Sequence, residues 1–162
     1  MRNLQVQTYL DICTTDMDKI EKIIDGLGQL SNIVPFLTKY AIIKACGTLE
    51  LSFKTLLADQ LNANAGHQLV TYVNKTIREK PLNPNMSNWH QLLKKLDKSW
   101  SDQFKVNVDA LPHSAKIYTS LDSLNAARNA FAHGLEPNVS FPSVKEYFAD
   151  SRRALEILDL IF

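Results

Sequence analysis

The sequence has little of what marks a stapled, membrane-anchored or polyanion-coating protein. Only two cysteines occur in 162 residues. Cys13 and Cys46 form no C-x-x-C pair and have no histidine nearby at metal-ligand spacing, which excludes a disulfide framework and a thiolate metal knuckle. Free thiols in a reducing compartment fit instead, with packing the expected role of Cys46 in its apolar run. No stretch approaches the roughly 18 uninterrupted apolar residues of a membrane span. The opening MRNLQVQTYLDICTTD also lacks the continuous apolar run of a signal peptide. A cytoplasmic chain with no membrane contact is therefore expected. The formal net charge is +1, so no global field favours a polyanion, and an RNA partner would have to be met by a local basic patch. Strand alternation, internal repeats and low-complexity segments are missing too.

What is present is helix. At 45% hydrophobic and 22% charged residues, a chain of this length can bury a core as one domain spanning 1–162. Thr15 before DMDKIEKIIDGL predicts a capped N-terminal helix around 15–29, weakened at its end by Gly26 and Gly28. Pro35 suits the first turn of a longer helix through FLTKYAIIKACGTLELSFKTLLADQL. A third, HQLVTYVNKTIREK, stops at the breaker-rich PLNPN. Ser87 is the expected cap of a fourth, NWHQLLKKLDKSW, with no clear end. Pro112 precedes a fifth, SAKIYTSLDSLNAARNAFAH, stopped by Gly134. Ser143 and Glu146 form the S-V-K-E pattern of a capping box opening the last helix. The expectation is an all-α, irregular antiparallel bundle of about five to six helices.

The end of the fifth helix carries polar groups that composition does not explain. On a wheel of about 100° per residue, Ile117, Leu121, Leu124 and Leu135 make an apolar stripe with Arg128 in its middle. An arginine there needs an acidic partner or an assembly surface. Beside it runs a line of Tyr118, Asp122, Asn125, Asn129 and His133, spaced to stack on one face. Arg128 and His133 diverge by roughly 140°. The structural account is that both complement the helix macrodipole and its last carbonyls. In the second helix Lys44, Thr48, Ser52, Thr55 and Asp59 share a polar face, whereas Glu50 lies opposite among Ile43, Cys46, Leu57 and Leu61. Glu50 either pairs with an exposed Lys54 at i+4 or reaches across to orient Arg128.

The run RNAFAHG resembles the signature of the HEPN superfamily, R-x4-6-H with a polar residue directly after the arginine. The helix YAIIKACGTLELSFKTLL is similar to the early helix of the RiboL-PSP-associated branch, in which a glutamate sits within an apolar segment. The likeness extends from about Ser31 to the last helix. It implies a helical bundle and, as in many members, a metal-independent ribonuclease of toxin–antitoxin, phage-defence or RNA-processing systems. On that resemblance Arg128 and His133 are catalytic, Asn129 and Glu50 supporting, and no metal or other cofactor is required. It further implies a homodimer with a composite active site, an RNA substrate, and room for an antitoxin or regulatory protein. Where members paired with minimal nucleotidyltransferases carry a modified tyrosine two positions after the histidine, this chain has Leu135, so that mode of neutralisation is not expected.

The residue types suit the chemistry. Metal-free RNA cleavage needs a base for the 2′-hydroxyl, an acid for the leaving 5′-oxygen and a cation for the phosphorane. Histidine serves the first two near neutral pH, and arginine offers a forked fixed charge for the third. The other histidines, His67, His90 and His113, suit surface or capping roles. Lys94, Lys95 and Lys98, or Arg152 and Arg153, either guide RNA or form solvated faces. Two other readings stand beside the nuclease: a non-catalytic HEPN dimer for interaction or nucleotide sensing, and a plain helical scaffold.

Overall fold

In the computed structural model, which describes all 162 residues, the apolar positions Val6, Leu10, Cys13, Met17, Ile20 and Ile24 recur every three or four residues and are buried along one helix, α1 (Leu4–Leu27). This corrects the expected start at Thr15. The cap is Asn3, whose Oδ1 accepts from the Val6 amide at 3.0 Å. The Asn3 amide in turn donates to Asp159 at 3.1 Å, and its Nδ2 to Asp59 at 2.8 Å. Thr15 lies within the helix, and its neighbour Thr14 donates back to the Leu10 carbonyl at 3.0 Å, a bond a helix interior tolerates. Gly28, with φ 84°, ends α1 and returns its amide to Ile24 at 2.8 Å.

α2 (Val34–Asn62) is the axis of the molecule, with Pro35 in its first turn. It packs against α1, α6 (Ser114–Ala132) and α7 (Phe141–Ile161). Its expected polar face is not solvated: Thr48, Ser52 and Thr55 are buried, their small side chains lying within the packed interior. α3 (His67–Val73) widens into a π turn, Asn74–Arg78, before the Lys80–Asn85 loop.

α4 (Met86–Leu96) is capped by Asn85 rather than Ser87, with Asn85 Oδ1 accepting from the Asn88 amide at 2.8 Å. It ends at Asp97, which also caps α5 (Lys98–Asp109) by accepting from the Ser99 amide at 2.7 Å. The segment that lacked a clear end is thus two helices sharing one residue between them, which raises the count to seven. Trp89 of α4 stacks on Phe53 of α2 with centroids 4.6 Å apart, fixing this pair to the axis. The last helix starts three residues earlier than the capping-box pattern suggests. Ser140 caps it, accepting from the Ser143 amide at 3.2 Å, and Glu146 instead pairs with Lys116 of α6. All seven helices contribute to one contiguous core of 32 buried apolar residues. The all-α expectation holds.

Candidate functional site

The last turns of α6 are placed by the residues that precede them. Ile117, Ser120, Leu121, Leu124 and Ala127 face the core. The Cys46 thiol, which burial pushes up to about 12, donates to the Leu124 carbonyl across 3.4 Å and ties α6 to α2. Of the apolar stripe, Ile117, Leu121 and Leu124 therefore belong to this chain's own interior rather than to an assembly surface. Leu135 lies beyond the helix and is exposed. Termination is local: Gly134 takes φ 76°, its amide donates to Phe131 at 3.0 Å, and the Leu135 amide returns to Ala130 at 2.9 Å. These are the two bonds of a Schellman motif, so His133 is the terminal residue of an intact helix rather than part of a frayed one.

Arg128 is half-buried beside this core face. Its Nη2 donates to Asn83 Oδ1 at 2.7 Å and its Nη1 to Asn129 Oδ1 at 3.2 Å. Both partners are neutral amides, and no carboxylate lies within ion-pairing distance of it. Other cations are spent differently. Arg152 bridges Asp11 and Glu156 at 3.0 Å each, Arg78 pairs with Asp59, and Lys98 with Asp102 at 2.5 Å. Lys94 and Lys95 are exposed in the last turn of α4, where they complement its dipole.

Glu50 does not contact Arg128, which corrects the direct-orientation idea. Its Oε1 accepts from Lys54 Nζ at 3.1 Å and from the Leu82 amide at 2.9 Å. Lys54 is itself buried, only 8% exposed, so this is not a surface pair. Leu82 adjoins Asn83, the residue that holds Arg128. In the sequence PLNPN reads only as a breaker, since no local pattern links Asn83 to a residue 45 positions away.

His133 is exposed at the helix end, and its backbone amide bonds to Asn129 and Ala130. Tyr118, expected on the same line, turns to Asp109 of α5 at 2.9 Å, and burial with that bond pushes its hydroxyl up to about 12. The remaining histidines are engaged elsewhere. His113 precedes α6, His67 opens α3, and His90 packs on Phe104 with Nδ1 3.3 Å from Ser101 Oγ. No three His, Cys, Asp or Glu side chains converge as a metal-binding group.

An apolar surface flanks the site. Phe36, Tyr40 and Ile43 lie exposed on α2, joined by Phe131 of α6, and line a concavity of about 440 Å³. Lys39 Nζ sits 5.5 Å from the Phe36 ring and 5.7 Å from that of Phe131, and pairs with Glu136 at 2.7 Å. Gly47 and Leu51 continue the exposed strip along α2.

A model of the RiboL-PSP-HEPN family matches residues 12–162. The chain belongs to the RiboL-PSP-HEPN family. No curated protein and no solved structure matches it. The helical bundle suits a HEPN domain, and the match includes Glu50, the Asn83 loop, Arg128, Asn129 and His133. No helix of this HEPN domain is long and apolar enough to cross a membrane.

Proposed function

We propose that this HEPN domain is a metal-independent endoribonuclease acting as a toxin or phage-defence effector in the cytoplasm. One observation carries the reading: Arg128 is held by two amide oxygens, and no carboxylate pairs with it. A fully buried arginine is ordinarily paired with a carboxylate, whereas half-buried Arg128 is oriented by amides and left open to solvent. One that is oriented but not neutralised is suited to an anion that arrives later, and a phosphodiester fits its fork.

His133 supplies proton transfer. One imidazole takes the 2′-hydroxyl proton as that oxygen bonds to phosphorus. The bond to the 5′-oxygen then breaks, and a second imidazole protonates that oxygen. Arg128 stabilises the charge on the non-bridging oxygens. The products are a 2′,3′-cyclic phosphate and a 5′-hydroxyl, and DNA resists for want of the 2′-nucleophile.

A single α6 points Arg128 and His133 apart and offers one imidazole, so the composite site requires a second copy. The exposed strip of Phe36, Tyr40 and Ile43, continuous with Phe131, is the face for that homodimer. A twofold axis there brings the two α6 ends together. That apolar face also favours a second reading, a non-catalytic dimer serving interaction or nucleotide sensing, because dimerisation needs neither Arg128 nor His133. With Leu135 two positions after His133, an antitoxin or regulatory protein would act by covering the site.

Incubating purified protein with total RNA in chelator separates the two. The nuclease yields fragments with cyclic phosphate and 5′-hydroxyl ends. Cleavage lost on chelation, or fragments with 5′-phosphate ends, counts against this mechanism.

A further inference from the structure

We infer that Asn83 is the positioning residue of Arg128, and that Glu50 sets it by latching the Lys80–Asn85 loop. This rests on the nuclease reading for its consequence but on the hydrogen bonds for its existence. The loop joins the π turn to α4 and reaches the site from a part of the chain that carries no motif. Hydrogen bonds fix it at Leu82, Asn83 and Asn85. The Leu82 amide donates to Glu50 Oε1 at 2.9 Å. The Asn83 carbonyl accepts from Asn88 Nδ2 at 3.0 Å and from the Asn85 amide at 2.9 Å. Asn85 in turn caps α4. Pro81 and Pro84 stiffen the loop, and Pro84 restricts Asn83 to extended backbone. The side-chain amide of Asn83 therefore reaches Arg128 with much of its ordering entropy already spent in folding the loop.

The neutral partner is the point of the design. A guanidinium only donates, so it is the Asn83 oxygen that faces it. An aspartate at residue 83 would hold Arg128 more tightly, but would also cancel the charge that a phosphate must find. Glu50, the carboxylate of the network, is kept off the arginine. Its charge is balanced by buried Lys54, and it acts on Arg128 only through the backbone of Leu82. The network thus separates orientation from neutralisation.

The test combines kinetics with a signal that does not depend on activity. Two Nη bonds hinder rotation about the Arg128 Nε–Cζ bond, so separate Nη1 and Nη2 signals are expected by NMR, identified by their loss in Arg128→Lys. Asn83→Ala should merge them and lower kcat about ten- to a hundredfold through misplacement of the cation, with a Tm within about 2 °C of wild type. Asn83→Asp should keep the signals separate and still lower kcat, a split that loss of packing would not produce. Glu50→Gln with Lys54→Met retains an acceptor for Leu82 and both side-chain volumes, and should stay within about threefold of wild type, whereas Glu50→Ala with Lys54→Met should behave as Asn83→Ala. Wild-type kcat in Asn83→Ala, or unchanged Nη signals there, overturns the latch. If wild type cleaves no RNA while Asn83→Ala still frees Arg128, the nuclease reading fails and the latch stands.

Discussion

Arg128 and His133 lie five residues apart on one helix and share no bond, so they can be separated experimentally. His133→Ala should reduce RNA cleavage by about a hundred- to ten-thousandfold, the usual range for a proton-transfer group, and Arg128→Ala by about a hundred- to thousandfold, as for loss of an electrostatic stabiliser. Neither change should unfold the chain. His133 is exposed, and a dipole contact at a helix end contributes only about 0.3–1 kcal/mol. Arg128→Lys keeps the charge but cannot satisfy Asn83 and Asn129 with a fork, and most activity should go with it. If expression is toxic, His133→Ala should relieve that. Cleavage that persists in His133→Ala, with circular dichroism unchanged, would remove the histidine from the mechanism.

At the scale of the element, the end of α6 depends on the glycine that follows His133. Gly134 adopts φ 76°, and a Cβ built there meets nothing within 4 Å. Gly134→Ala therefore costs backbone strain alone, about 1 kcal/mol by denaturant unfolding. Unaltered stability would mean the Schellman turn is not held in solution. The α4–α5 pair offers a pH test. Burial lowers the His90 pKa from its ordinary 6.5, aided by the charge of Lys105 and opposed by Asp109. A folded pKa below the unfolded one means the unfolded chain binds the proton more readily. His90 thus contributes stability that is full above about pH 6.5 and lost as pH falls toward its folded value. His90→Gln should flatten the pH dependence of Tm between about pH 7 and 5. An identical slope in the variant would assign that dependence to other groups.

Across the whole molecule, the exposed strip on α2 predicts association. Light scattering at micromolar concentration should report twice the 18.3 kDa chain mass. Phe36→Asp and Ile43→Asp, both exposed in the single chain, should yield folded monomers that have lost cleavage together with dimerisation. A monomeric wild type that cleaves RNA would remove the composite site. Ile117, Leu121 and Leu124 take no part in this interface, because they fill the chain's own core.

What the sequence by itself determined is short-range. Period, proline and glycine act within a few residues, so the helical class, the first-turn place of Pro35 and the stop at Gly134 were legible. So was the motif that puts Arg128, Asn129 and His133 on one helix end. Where two local signals competed, tertiary partners decided. Asn3 rather than Thr15 starts α1 because Asp159 and Asp59 hold it, and Glu146 leaves its local role for Lys116. The face that Thr48, Ser52 and Thr55 turn inward and the face that Phe36 and Tyr40 leave bare followed only from which helices α2 meets. Above all, the partners of Arg128 came from the fold. Periodicity records which side of a helix a residue occupies, but not which distant loop will lie against it, and Asn83 is brought there by packing and by the backbone bond to Glu50.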